Sequence, residues 1–256
     1  PNSEGWQFRC AGKRFEWRVY NRINSHGLRD RDRTYEKPAG TKRVLLLGDS
    51  MTEAMQVPLE VTFATLLEKD LRAGGGSVEV VNAGIAGFGT DNELLFFRTE
   101  GVRYAPDVVV LVFDTLNDVA ENSAVLHREM YVANPESLGA KTYFHLDAEG
   151  RLTPELPAPR ITVPESPPSA WRAIESRVYL FRAIHKIVAP AAPVSRAALG
   201  ALSIFDVTKT TPDPEWSRSW AVTEALIRAL RVDVEKTGAH FAVAVMPSRE
   251  AVVPAA

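Results

Sequence analysis

Ser50 closes the run Arg43-Val44-Leu45-Leu46-Leu47-Gly48-Asp49-Ser50, and a hydroxyl delivered at the tip of a buried strand can act as a nucleophile. On its own Gly-Asp-Ser is also ordinary turn chemistry, Gly48 permitting φ > 0 and Asp49 or Ser50 capping the next helix. Two later stretches change the balance. One is Asn82-Ala83-Gly84-Ile85-Ala86-Gly87-Phe88-Gly89-Thr90, and the other is Asp114-Thr115-Leu116-Asn117-Asp118. Acyl transfer needs this combination, because the attacked carbonyl becomes a tetrahedral oxyanion that is stabilised by hydrogen-bond donors fixed in advance. Gly87 can offer its main-chain N–H at close approach, Asn117 its side-chain amide, and Ser50 its own N–H.

Each of these stretches follows a predicted buried strand: residues 43–47, Val78-Glu79-Val80-Val81, and Asp107-Val108-Val109-Val110-Leu111-Val112-Phe113. Short runs so rich in apolar residues suit strands covered on both faces. With helices on both faces of a parallel sheet, a ligand is left the crevice beyond the strand tips. Residues 58–71 predict a helix, with Leu59, Phe63, Leu66, Leu67 and Leu71 as its buried face and 51–57 as a loop before it. Residues 90–104 predict another, burying Leu94, Leu95, Phe97 and Val102, with Asp91 as a cap or as a residue orienting the loop. Asp49 and Asp118 are expected to hold their turns. A long helix over 215–236, with Trp216, Trp220, Thr223, Ile227, Leu230 and Val234 in period, leads into a fourth core strand at 239–247. The alternation of strands and helices predicts a three-layer α/β sandwich with a parallel, flavodoxin-like sheet.

At Gly48-Asp49-Ser50, Asn82-Ala83-Gly84-Ile85-Ala86-Gly87 and Thr115-Leu116-Asn117-Asp118 the chain resembles the SGNH, or GDSL, hydrolases. These stretches look like that family's first three blocks, with Thr115 in place of the usual glycine of the third. The resemblance covers about residues 41–118. It implies the SGNH hydrolase fold, a serine esterase or acylhydrolase acting through an acyl-enzyme on Ser50, and Ser50, Gly87 and Asn117 as oxyanion donors. The implied substrates are small acyl esters, including acetylated sugars. An O-acyltransferase acting on glycans and a non-catalytic carbohydrate- or partner-binding domain of the same fold are the alternatives. The family's general base is a histidine three residues after an aspartate, and no Asp-x-x-His occurs here; the five histidines are His26, His127, His145, His185 and His240. The expectation is therefore a truncated chain whose base lies beyond Ala256, and a fragment with little activity of its own.

A net charge of −2 over 256 residues gives no basic footprint for nucleic acid. The single Cys10 excludes an internal disulfide, and no histidine, cysteine or carboxylate spacing suggests a metal. No cofactor is implied. No apolar run approaches the roughly 20 residues of a membrane helix, and compartment stays open because a leader or anchor could precede Pro1. The Gly74-Gly75-Gly76 triplet precedes a strand rather than a helix and lacks a following Gly-Lys, so a phosphate loop is not expected.

Residues 1–40 are expected as a β-rich front extension, as in some bacterial members of that family, on a hydrolase domain over 41–256. Trp6–Cys10 and Phe15–Tyr20 alternate apolar and polar residues and predict a hairpin. Residues 24–30 predict a polar turn, in which His26 beside Ser25 is a turn residue and not a catalytic partner. Residues 119–170 form an expected insertion that contains a hairpin at 143–152 and the histidines His127 and His145, both read as packing or surface residues. Because it starts beside Asn117, that insertion is expected to set substrate choice. A further helix is expected over 171–188, with Ile174, Val178, Phe181, Ile184 and Ile187 on one stripe.

Overall fold

The computed structural model describes residues 1–11, 14–115, 117–130, 141–155, 207 and 211–246. The expected helix over 171–188 and the proline-rich run after 155 lie outside them. Four strands form the central sheet: β3 (Lys42–Gly48), β4 (Val78–Gly84), β5 (Val108–Asp114) and β8 (His240–Met246). All neighbours are parallel and the spatial order is β4-β3-β5-β8. The first strand thus sits between the second and the third, the flavodoxin-like order. The chain leaves β3 on one side, and β5 returns on the other. Such a reversal opens a crevice between the carboxyl ends of β3 and β5.

Side chains alternate across this sheet with the period of 2 that a pleated strand imposes. Leu45, Leu47, Val81, Val109, Leu111 and Phe113 face one way, into a core with Leu94 and Phe97 of α3 (Thr90–Thr99) and with Trp216, Leu226, Leu230 and Val234 of the long helix Pro214–Lys236. Leu46 and Val80 face the other way, against Ala64 of α2 (Phe63–Ala73), with Val44, Leu67 and Val110 around them. The result is the expected helix–sheet–helix sandwich.

Local chemistry sets the element boundaries. The long helix starts where Asp213 accepts from Glu215 N at 2.8 Å and ends before Gly238 at φ +85°. The helix expected over 58–71 is instead a 3-10 turn, Leu59–Val61, followed by α2. Thr62 takes an extended conformation between them and accepts from Thr65 N, so an N-cap interrupts the run. Its buried face also differs from the apolar pattern. Phe63, Leu66 and Leu71 are exposed, and Glu68 occupies the core position. That carboxylate accepts from Val80 N at 2.8 Å and pairs with Arg33 at 2.6 Å, which satisfies the charge and lets it displace leucines from the sheet-facing stripe. The helix expected over 90–104 likewise stops at Thr99 and tightens into a 3-10 turn, Gly101–Tyr104, which leaves Val102 exposed.

The front of the chain is a hairpin, β1 (Ser3–Ala11) and β2 (Arg14–Ile23), with Trp6 opposite Tyr20 and both exposed. The polar turn expected at 24–30 forms, with Gly27 N donating to Asn24 O at 3.1 Å and Ser25 exposed, but residues 28–30 are buried. Leu28 lies in the main core, Arg29 is 2 % exposed, and Asp30 accepts from Asn82 N of β4 at 3.0 Å. His26 stacks on Tyr35 and its Nδ1 meets Tyr104 Oη at 2.7 Å, so it serves packing. After β5 come α4 (Asp118–Glu121) and α5 (Ala124–Met130), then the expected hairpin as β6 (Tyr143–Leu146) and β7 (Leu152–Glu155). The helix Pro214–Lys236 is numbered α6 below.

Candidate active site

The loop expected over 51–57 opens instead as a one-turn helix, α1 (Ser50–Glu53), because Asp49 caps it; Ser50 is its first residue and is exposed. The turn forms because Asp49, itself buried, accepts from Met51 N at 2.8 Å through Oδ1. It lies flat on the strand tips. A Cβ on Gly48 would stand 2.1 Å from Thr52 Oγ1, and one on Gly84 would stand 2.3 Å from Glu53 N. Both glycines are therefore required by close approach, in facing positions of the β3–β4 ladder. Asn82 Nδ2 donates to Thr52 O at 2.9 Å, and its Oδ1 accepts from Gly84 N at 3.0 Å. The buried asparagine of the second sequence block is thus a brace under the serine turn.

Gly87 follows a few residues later in an exposed turn closed by Phe88 N donating to Ile85 O at 3.1 Å. Its φ of +80° at the third position of that turn is the reason for glycine there, since a Cβ would meet nothing within 4 Å. The turn is attached to the serine helix: Ala86 N donates to Glu53 Oε2 at 3.1 Å, and Ile85 N to Gly48 O at 3.0 Å.

Asn117 precedes α4, yet its side chain makes no capping bond to that helix. Its amide donates to Asp49 Oδ2 at 3.0 Å instead. One carboxylate thereby ties the third-block asparagine to the turn that carries Ser50. A primary amide has two N–H groups, so a donor remains for a further acceptor. Thr115, where the resembled family has glycine, has no positive φ, and its N–H and hydroxyl both donate to Met246 O at the end of β8. The backbone here accommodates an L side chain.

Asp118 holds its turn as expected, accepting from Asp114 N at 2.8 Å. Asp91 does not cap α3, whose N-cap is Gly89; it is fully buried and pairs with Lys141 at 2.9 Å. These two belong to a buried acidic group, with Glu93 and Glu121, behind Asp49. Burial, then the charges of Asp49, Asp91 and Glu121, hold Glu93 well above the usual carboxylate range; burial, then Glu93 and Asp49, does the same to Asp118. Sequence reading missed the group, although Glu93 stands four residues before Phe97 and Asp91 three before Leu94, polar residues on the apolar stripe.

His240 opens β8 at the opposite end of the sheet, His145 is exposed on β6, and His127 Nδ1 meets Tyr143 Oη at 2.8 Å. Burial, then Lys141, pushes His127 down to about 4. No group of described residues could hold a metal ion, and no described helix is long and apolar enough to cross a membrane.

No family model matches the chain. An arylesterase of Vibrio mimicus is 32% identical over 71 residues, 28% of this chain and 36% of that protein. Among solved structures, TesA aligns at 25% identity and a TM-score of 0.30 over 39% of this chain and 57% of its own. AlinE4, an SGNH-hydrolase family esterase, aligns at 19% and 0.29 over 40% and 55%. The chain spans about a third of that curated relative and little more than half of either structure. With a parallel α/β sheet in flavodoxin-like order and three sequence blocks at its strand tips, the chain is similar to the SGNH, or GDSL, hydrolases.

Proposed function

We propose that this chain is a serine esterase that cleaves small acyl esters, acetylated sugars among them. Ser50 Oγ would attack the acyl carbon while a general base takes the hydroxyl proton. The resembled family uses a histidine of an Asp-x-x-His block for that step. The carbonyl oxygen, now anionic, would receive hydrogen bonds from the N–H groups of Ser50 and Gly87 and from the amide N–H of Asn117 not engaged by Asp49. Collapse expels the alcohol and leaves an acyl-enzyme on Ser50, which water then cleaves.

The observation that carries this reading is the bond from Asn117 to Asp49. A structural asparagine before a helix would cap it; this one is turned towards the serine turn across the crevice between β3 and β5. The stretch shared with an arylesterase supports the ester class. Incubating the natural full-length protein with a fluorophosphonate probe tests it. The expected result is one adduct, on Ser50, lost in Ser50→Ala together with hydrolysis of p-nitrophenyl acetate. A folded protein that takes no label would refute the reading, and acetyl transfer to a sugar acceptor in preference to water would move it to the acyltransferases.

A further inference from the structure

The serine turn is held by an arginine far from it in sequence, which no residue pattern connects with it. Arg29, in the segment after the front hairpin, is 2 % exposed. Its Nη1 donates to Glu53 O at 2.9 Å and Ala54 O at 2.8 Å, its Nη2 to Val57 O at 2.5 Å, and its Nε to Asn21 Oδ1 at 2.5 Å. Asn21 in turn donates through Nδ2 to Met55 O at 3.0 Å. The two side chains thus satisfy the main-chain carbonyls of 53, 54, 55 and 57, where α1 ends and the chain reverses. That reversal puts Ala54 at φ +55°, a left-handed conformation that an alanine adopts only when its surroundings impose it. A planar fork of donors can impose it; a single ammonium cannot reach the same set.

The bracing extends to the second half of the site. Glu53, whose carbonyl Arg29 holds, accepts Ala86 N with its carboxylate, one residue before Gly87. Displacing the end of α1 therefore displaces the Gly87 turn as well as Ser50.

On the serine-esterase reading, we infer that Arg29 is a positioning residue: through the carbonyls of Glu53, Ala54 and Val57 it sets the geometry of the Ser50 turn and, by way of Glu53, of the Gly87 turn. Arg43 is the matched control. It is also fully buried and also binds main-chain carbonyls, those of Tyr35 at 2.9 Å and Tyr104 at 2.7 Å, besides pairing with Glu79. It lies at the other end of β3.

The test compares Arg29→Met, Arg29→Lys and Arg43→Met in the natural full-length protein by the rate of fluorophosphonate labelling at Ser50, by kcat and KM for p-nitrophenyl acetate, and by the urea midpoint. Misplacing reacting groups by about 1 Å costs on the order of 100-fold. Arg29→Met should therefore lower kcat and the labelling rate by about 10- to 100-fold with KM little changed, and Arg29→Lys should fall between it and wild type. Arg43→Met should lower the midpoint and leave kcat of the folded protein alone. If Arg29→Met does not fold, Arg29→Lys decides by the same split. Labelled wild type with undiminished kcat in the Arg29 variants, or equal kcat losses in the Arg29 and Arg43 variants, overturns the proposal alone. Wild type that takes no label overturns the esterase reading and this inference with it.

Discussion

The side-chain amide of Asn117 donates to Asp49 Oδ2 at 3.0 Å, across 68 residues of sequence and from one strand tip to the next. Asp49 therefore works in two directions at once: Oδ1 starts the helix that presents Ser50, and Oδ2 orients the asparagine that faces it. An amide held in one orientation incurs no reorganisation cost when charge develops, which makes such a donor effective.

On the proposed esterase reading, in which Asn117 is an oxyanion donor, Asn117→Ala should lower kcat by about 100- to 1000-fold with a much smaller change in KM, the usual cost of removing such a donor. Asp49→Asn should cost less, because one side-chain oxygen can still cap Met51 N while the new amide turns an N–H against that of Asn117. The two losses should not add. In the Asn117→Ala background, Asp49→Asn has no amide left to misdirect, and steady-state kinetics on the four proteins of the cycle should reveal a coupling of about 1 kcal/mol or more. Full additivity would mean that the Asp49–Asn117 bond has no part in catalysis.

Two glycines near the site should respond differently to alanine. At Gly84 the added Cβ would meet main-chain atoms of Thr52 and Glu53 within about 2.5 Å, and neither strand nor helix can move away cheaply. Gly84→Ala should lose about 1–3 kcal/mol of stability, as overpacked sites do, and label slowly at Ser50. At Gly87 there is open space, so only the φ of +80° opposes a side chain. Gly87→Ala should lose no more than about 1–2 kcal/mol while, on the proposed esterase reading, still losing activity, because the turn that aims its N–H changes. Urea unfolding beside the labelling rate separates the two.

The central sheet was legible because Leu45 and Val109 sit in unbroken apolar runs and Val81 in a valine-rich stretch broken by Glu79, which no amphipathic surface element requires. The three blocks at its strand tips were legible because turns after buried strands carry few residue types. What misled was burial of charge. Glu68 in α2, Asp30 and Arg29 in the front segment, and Asp91 and Glu93 in α3 are all buried, and apolar periodicity cannot register a polar residue whose partners arrive from elsewhere in the chain. Arg33 reaches Glu68 and Val80 O from the front segment, so residues before 40 contribute to the sheet's polar bracing. Asn117 illustrates the same limit. Its type and place suggested a donor, but only the fold reveals that Asp49 holds it.

The buried acidic group gives stability an unusual pH dependence. Glu93 is 1 % exposed, neither of its carboxyl oxygens has a hydrogen-bond partner among the described residues, and it faces Asp49, Asp91 and Glu121 with Lys141 as a nearby cation. Burial and these like charges favour its protonated form, as they do for Asp118. Raised folded-state pKa values mean that the native protein binds more protons than the unfolded chain between the unfolded value near 4.5 and the folded one, so stability is greatest below that window and declines as pH rises through it. Each such proton contributes a slope of at most about 1.4 kcal/mol per pH unit. Glu93→Gln keeps the shape and removes the ionisation. Its stability should match or fall slightly below wild type near pH 5 and exceed it at pH 8, so that urea unfolding curves measured across that range cross. Parallel dependences on pH in the two proteins would show that Glu93 ionises as freely in the fold as outside it.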